Sequence, residues 1–248
     1  MYHAVAGGEA HAYDRRYTLP NAEFVAQLQH IRDHAGGACC ARDWLQKRSH
    51  ERVLLTFDDG LASDYETAFP LLLEHGMTAD FFVNPGTVGN RGHVSWQELR
   101  EMSCAGMSVQ SHGYDHIHLT QLDPFALRRT LYAARIEIED RVGAPVTLLA
   151  PPGGRMPHAL VEVARSLGYT DVLCSKPGAL PTHDAHGPLP RLAITAGLSV
   201  RTFAGWVSLQ HASIATALAY YQVKQFARYA IGEARYERVR AKALPPHA

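Results

Sequence analysis

Short apolar runs alternate with stretches of helical periodicity along most of this chain. Arg52–Phe57 is a nearly continuous apolar run that reads as a buried strand, and Thr78–Val83, Met107–Gln110, Val146–Ala150, Val172–Cys174 and Leu192–Thr195 read as further strands. Between the first two, Ser63–His75 has a helical pattern, with Leu71, Leu72 and Leu73 near its end and Gly76 as its stop. Ser95-Trp96-Gln97-Glu98 has the form of a capping box, in which Ser95 bonds forward to the Glu98 amide, and it opens a helix ending near Gly106. Asp123 followed by Pro124 caps another helix, whose Leu127, Leu131, Ala134 and Ile138 fall on one face at a three-to-four spacing.

Repeated strand–helix units favour a parallel sheet, and seven or so of them favour closure into a barrel. The expected architecture is α/β, a distorted (β/α) barrel of about seven strands over residues 1–200, with a helical C-terminal extension over 201–248. The extension is Ala-rich from about Ser199 and carries a basic run of Lys224, Arg228, Arg235, Arg238, Arg240 and Lys242. Its plainest reading is a solvated helix face; contact with an anionic membrane surface is the sharper one.

With 248 residues, 46% of them hydrophobic, the chain can build one large core. Its 24 basic and 24 acidic residues cancel, so nothing in the charge points to nucleic acid. Cys39, Cys40, Cys104 and Cys174 follow no zinc-knuckle or disulfide spacing and read as thiols. No signal peptide and no membrane-length apolar stretch is seen, which makes a cytoplasmic protein the default expectation.

The chemistry lies in two motifs. Thr56-Phe57-Asp58-Asp59-Gly60 ends an apolar strand with adjacent carboxylates, and Ser111-His112-Gly113-Tyr114-Asp115-His116 follows a second strand with two imidazoles four apart. Each alone is ordinary: Asp-Asp-Gly is common turn chemistry, and paired histidines are often incidental. Together they supply one carboxylate and two imidazoles for a divalent cation such as Zn²⁺, and leave a second carboxylate to act as a base beside it. Adjacent like charges at the end of a hydrophobic strand make sense mainly if a cation neutralises one of them. The Pro151–Gly154 turn follows a third strand, so three motifs sit at three strand ends. Among aromatic residues near those ends, Tyr114 is a candidate to line the cleft, whereas Trp96 reads as core. His183-Asp184-His186, in a Pro/Gly-rich loop, reads as surface.

These motifs resemble the polysaccharide deacetylases, the NodB-homology domain of carbohydrate esterases. The likeness extends to about residue 200 and takes in Pro151-Pro152-Gly153-Gly154, Gly168-Tyr169 and Leu189-Pro190-Arg191. It implies a metal-dependent hydrolase that removes acetyl groups from N-acetylhexosamine units of an oligo- or polysaccharide. It implies Asp59, His112 and His116 as metal ligands, Asp58 as general base, and a backbone N–H at Gly153 as the oxyanion donor. Two departures stand out. Ala150 occupies the place of an arginine that orients the base, for which Arg191 or Arg155 would have to substitute; Arg191 is grouped with Gly153 and Tyr114 on the oxyanion and substrate side. The late Leu-x-His motif that supplies the acid is matched only by Leu209-Gln210-His211, in the helical tail. A circularly permuted branch, resembling deacetylases of poly-N-acetylglucosamine, places that histidine in an N-terminal Tyr-His strand. Tyr2-His3-Ala4-Val5 matches it, which implies His3 as the general acid. Two alternatives remain open: a catalytically impaired carbohydrate-binding protein, and a hydrolase of a small non-sugar amide. Oligomeric state is not readable from the sequence.

Overall fold

The computed structural model describes residues 1–6, 15–47, 53–181, 187–232 and 235; the His183-Asp184-His186 loop, Arg52, and Arg238, Arg240 and Lys242 of the basic run lie outside them. Strands β1 (Ala4–Ala6) and β2 (Thr18–Pro20) pair in parallel and lead into helix α1 (Asn21–Ala35). Strand β3 (Ala38–Cys39), helix α2 (Ala41–Lys47) and strand β4 (Val53–Leu54) follow, β3 and β4 pairing in parallel. None of the elements over residues 18–47 was anticipated from the sequence pattern.

The main sheet has five parallel strands in chain order: β5 (Thr56–Asp58), β6 (Asp80–Val83), β7 (Ser108–Ser111), β8 (Leu148–Leu149) and β9 (Asp171–Val172). Chain-order neighbours mean that each crossover moves the sheet one strand onward. There is no reversal of strand order like that which puts the crevice in a doubly wound fold.

The crossovers carry the expected helices. Residues Asp64–Ala68 form one turn of π-helix that runs into α3 (Phe69–Glu74), and Gly76 turns the chain back towards β6. Helix α4 (Trp96–Cys104) starts at Ser95, whose side chain accepts from the Glu98 amide while Glu98 accepts from the Ser95 amide, so the capping box is complete. Helix α5 (Pro124–Val142) is capped by Asp123 and buries Leu127, Leu131, Ala134 and Ile138 along the stripe read from the sequence. Helix α6 (Leu160–Ser166) precedes β9.

The expected count of about seven strands is corrected here: among the described residues five strands form the continuous ladder, and its two edges are continued only by isolated contacts. Tyr2 bridges to Phe57 beside β5, and Leu189 bridges to Leu173 beyond β9. The segment expected as a strand at Leu192–Thr195 forms no regular strand, yet the Ile194 amide donates to the Met1 carbonyl at 2.9 Å. The edges therefore curl towards each other without a full ladder between them.

The core is formed by Phe57, Phe81, Val109 and Leu149 of the sheet with Leu72, Leu99, Leu131 and Leu160 of the helices. Helices α7 (Val200–Val207) and α8 (His211–Ile231) end the described chain. None of Cys39, Cys40, Cys104 and Cys174 forms a disulfide. No helix among the described residues is long and apolar enough to cross a membrane.

One buried acid outside the cleft makes the fold sensitive to pH. Asp80, at the start of β6, accepts the Ala41 amide at 2.6 Å and holds the first turn of α2. Burial pushes its carboxyl up to about 7, and the Ala41 hydrogen bond only partly offsets this. A raised folded-state pKa means that its contribution is fully present below about pH 4 and is lost as pH rises through about 7. Asp80→Asn keeps an acceptor for Ala41. It is expected to be more stable than the parent at pH 8, by up to roughly 4 kcal/mol, with the difference closing towards pH 4, as read by urea denaturation at both values.

Candidate active site

The C-terminal ends of β5, β7 and β8 open onto one cleft of about 1110 Å³, lined among others by His3, Asp58, Asp59, His112, His116 and Gly153. Side chains alternate faces along a strand, so Asp58 and Asp59 would point to opposite sides of the sheet if both were extended. Asp59 avoids this by taking a left-handed backbone, φ 81°. His116 does likewise at φ 58°. For L-residues such a backbone costs about 1–2 kcal/mol, and it persists where the surroundings hold it for a purpose.

The result is a convergent donor set. Asp59 Oδ1 stands 3.2 Å from His112 Nε2 and 3.0 Å from His116 Nε2, and the three candidate donor atoms all lie within 4.8 Å of one another. Tetrahedral donors on an ion about 2.1 Å away would stand about 3.4 Å apart, so the set fits a small divalent cation with little movement. His112 is buried, whereas the His116 side chain is 44% exposed, which leaves one side of the set open to the cleft. Burial alone would raise the Asp59 carboxyl; hydrogen bonds with His112 and His116 outweigh it and hold that carboxyl below the usual range. The same contact raises His116 above its ordinary value, against its partial burial.

Asp58 has a different partner. Arg191 grips it as a fork, Nη1 to Oδ1 at 2.6 Å and Nη2 to Oδ2 at 2.9 Å, while Nη1 also donates to Thr56 Oγ1 and Nε to the Cys174 carbonyl. Burial would raise Asp58, but the charges of Arg191 and His112 and the fork itself hold it low and ionised. The absence of arginine at Ala150 is thus met from residue 191: Ala150 is packed in the core, and Arg155 lines the cleft beside the Gly153 turn. Arg191, grouped by sequence with the oxyanion and substrate side, spends its donors on Asp58, Thr56 and the Cys174 carbonyl.

His3 reaches the cleft because Tyr2 is clamped to β5, its amide donating to Thr56 O at 2.7 Å and its carbonyl accepting from the Asp58 amide at 3.1 Å. Burial lowers the His3 pKa, against the pull of Asp58 and Asp59. Gly153 has φ 63°, and a side chain there would come within 2.9 Å of His118 Nε2, so the turn favours glycine. His118 was missed by sequence reasoning. Its signal was its place two residues after His116, on the same loop.

Two expectations go elsewhere. Tyr114 points away from the cleft, its hydroxyl donating to Glu137 of α5 at 2.8 Å. His211 of the Leu209-Gln210-His211 match is exposed at the start of α8, outside the cleft lining.

A family model described as polysaccharide deacetylase matches residues 46–172, just over half of the chain and the stretch that carries both motifs. The chain belongs to the polysaccharide deacetylase family. YxkH of Bacillus subtilis (strain 168), named for the same family, is 25% identical over 213 residues, covering 84% of this chain and 74% of that protein. The poly-β-1,6-N-acetyl-D-glucosamine N-deacetylase of Staphylococcus aureus (strain MRSA252) is 24% identical over 134 residues, 50% of this chain and 46% of that one. Among solved structures, the Streptococcus pyogenes deacetylase PplD in complex with acetate has the same fold, with a TM-score of 0.71 at 23% identity over 80% of this chain and 92% of its own. The chain therefore spans about three quarters of YxkH and under half of the staphylococcal protein.

The fork in this deacetylase-family chain has a measurable consequence. Asp58 is depressed in the folded state, so its share of stability is present above the ordinary carboxylate pKa of about 4 and lost as pH falls through its folded value. Arg191→Met leaves that carboxylate buried without its cation. Urea denaturation at pH 7 is expected to reveal a loss of about 3–5 kcal/mol, shrinking at lower pH once Asp58 can take up a proton.

Proposed function

We propose that this chain is a metal-dependent N-deacetylase that hydrolyses the acetamide of N-acetylhexosamine units in a polysaccharide or its precursor. The observation that carries the proposal is the division of the two adjacent carboxylates: Asp59 joins His112 and His116 in a cation-sized donor set, while Asp58 is held ionised beside it by Arg191. Family membership and the activity for which the staphylococcal relative is named support the sugar amide as substrate.

The residues Asp59, His112 and His116 would hold one divalent ion, most simply Zn²⁺ given two imidazoles and one carboxylate. Such an ion supplies a polarised acetyl carbonyl and a water acidic enough to attack near neutral pH. The chain's own groups do the rest. Asp58, ionised and aimed by the two-point grip of Arg191, takes the proton from the attacking water. The Gly153 amide, on a turn that favours glycine, donates to the oxygen on which negative charge develops, an effect typically worth about 3 kcal/mol. His3, with its pKa depressed by burial, is a stronger acid once protonated and gives its proton to the departing amine. Acetate leaves and a free hexosamine amine remains. The grip of Arg191 on Asp58 also weighs against a catalytically impaired binder, since the missing arginine of the turn was a main reason for that reading.

Metal analysis and an acetate-release assay on N-acetylglucosamine oligomers test this. The purified protein is expected to bind one zinc per chain and release acetate. Asp58→Asn should retain the metal and lose turnover by about 10²–10⁴-fold. His112→Ala should lose both metal and activity. Stoichiometric zinc without acetate release, or full turnover in Asp58→Asn, would falsify the assignment.

A further inference from the structure

The cleft does not end at the three strand ends. One wall is built by α7 and α8, the segment that composition alone marks as a solvated appendage. Helix α7 is anchored to the domain by Phe203, which is buried and lies edge-on to His30 of α1 at 5.9 Å. Beyond it the chain turns sharply at Leu209, φ 54°, and α8 folds back against α7. Gly205 lets the two approach: a Cβ there would sit 3.0 Å from Ser213 Oγ. Trp206 Nε1 donates to the Ser213 carbonyl at 3.4 Å, fixing the indole at the cleft rim.

Helix α8 runs for 21 residues, and none of its side chains is fully buried. Tertiary packing of an apolar stripe is what usually holds a helix of this kind. Here the stripe turned to the cleft is Ser213, Ala217, Tyr221, Lys224 and Arg228, a three-to-four spacing that continues along most of the helix. Tyr220 and Gln225 line the same wall, and the Lys224 ammonium sits 4.2 Å from the Tyr220 ring centre. Small residues, hydroxyls, an amide and flat rings poorly suit an aliphatic core. They suit a ligand that is apolar on its ring faces and polar around its edges, as a sugar is. The fifteen steps from Ser213 to Arg228 extend about 22 Å at 1.5 Å each, several times the length of one hexose ring. A volume of about 1110 Å³ also exceeds the roughly 300–1,000 Å³ that encloses a single small ligand.

We infer that α7 and α8 form an extended binding wall, along which several linked N-acetylhexosamine rings lie against Trp206, Tyr221 and Gln225 while one acetamide is presented to Asp58. The sugar's identity rests on the deacetylase reading; the wall and its length do not.

Binding and turnover are tested separately. Of the three tryptophans, Trp44 is buried, Trp96 and Trp206 are partly buried against the core, and only Trp206 is among the cleft-lining residues, so a fluorescence change that Trp206→Phe removes reports on the wall. Zinc-loaded Asp58→Asn protein is titrated with N-acetylglucosamine and with its β-1,4- and β-1,6-linked hexamers. At least one hexamer should saturate the signal at a concentration at least tenfold lower than the monosaccharide, and Trp206→Phe in the same background should remove the change. In otherwise unaltered enzyme, kcat/KM for that hexamer should exceed the value for the dimer at least tenfold. Tyr220→Ala/Tyr221→Ala should reduce that ratio to within about threefold, with a melting curve confirming the fold; Tyr220 is 63% exposed, so its loss uncovers no core. Equal binding of hexamers and monosaccharide, a fluorescence change that survives Trp206→Phe, or a length ratio that Tyr220→Ala/Tyr221→Ala leaves intact overturns the inference. Hexamer binding at Trp206 without acetate release overturns the deacetylase reading alone, and acetate release indifferent to length overturns the wall alone.

Discussion

Two buried carboxylates stand next to each other at the end of one strand, and neither can remain ionised there without a cation of its own. Asp58 and Asp59 resolve this by diverging. The strand geometry of Asp58 aims its carboxylate at Arg191, while the left-handed turn at Asp59 swings the neighbouring carboxylate towards His112 and His116. Had Asp59 stayed extended, it would face the other side of the sheet and the donor set would not converge. The backbone strain at Asp59 and His116 is thus the structural cost of putting an arginine-held carboxylate and a candidate cation site side by side.

That arrangement depends on both edges of the sheet. Asp58 sits on β5, but the groups that would serve it arrive from far along the chain: His3 through the Tyr2 bridge at one edge, and Arg191 just past the Leu189 bridge at the other. The Met1–Ile194 hydrogen bond ties these two segments to each other. Irregular edges suit the task. A full ladder would fix every side chain in alternation, whereas isolated bridges let His3 and Arg191 turn into the same cleft.

Local signals were legible in the sequence and long-range ones were not. The capping box at Ser95 and the stripe from Leu127 to Ile138 appear as read, because each depends on residues within one or two turns. The aspartate and histidine motifs could be paired because both follow apolar strands, which in a parallel sheet end at the same side. The Arg191 fork spans 133 residues, and no spacing rule encodes it. Tyr114 misled for a related reason: its place between two histidines fixes its backbone, but Glu137 on α5 fixes its ring. The count of about seven strands is not confirmed, since edge bridges carry the same apolar signature as a ladder. For α8, alanine-rich composition indicated a helix, whereas only the fold says what its cleft-side stripe faces.

The position of the arginine bears on how much chemistry a fold can keep while its sequence moves. Ala150 is fully buried beside Leu148 and Leu173, so an arginine there would have to displace core packing to reach Asp58. From residue 191 the guanidinium enters along the curled edge instead, with its Cζ 5.4 Å from the centre of the Phe82 ring. Its donors reach Asp58, Thr56 and Cys174 together, which a planar fork can do and a lysine ammonium cannot. A buried ion pair offsets its desolvation only when its geometry is this complete. What the cleft requires is therefore a charge of fixed shape at one point in space. The chain is free to supply it from either side of β9, provided the edge of the sheet curls far enough to bring it there.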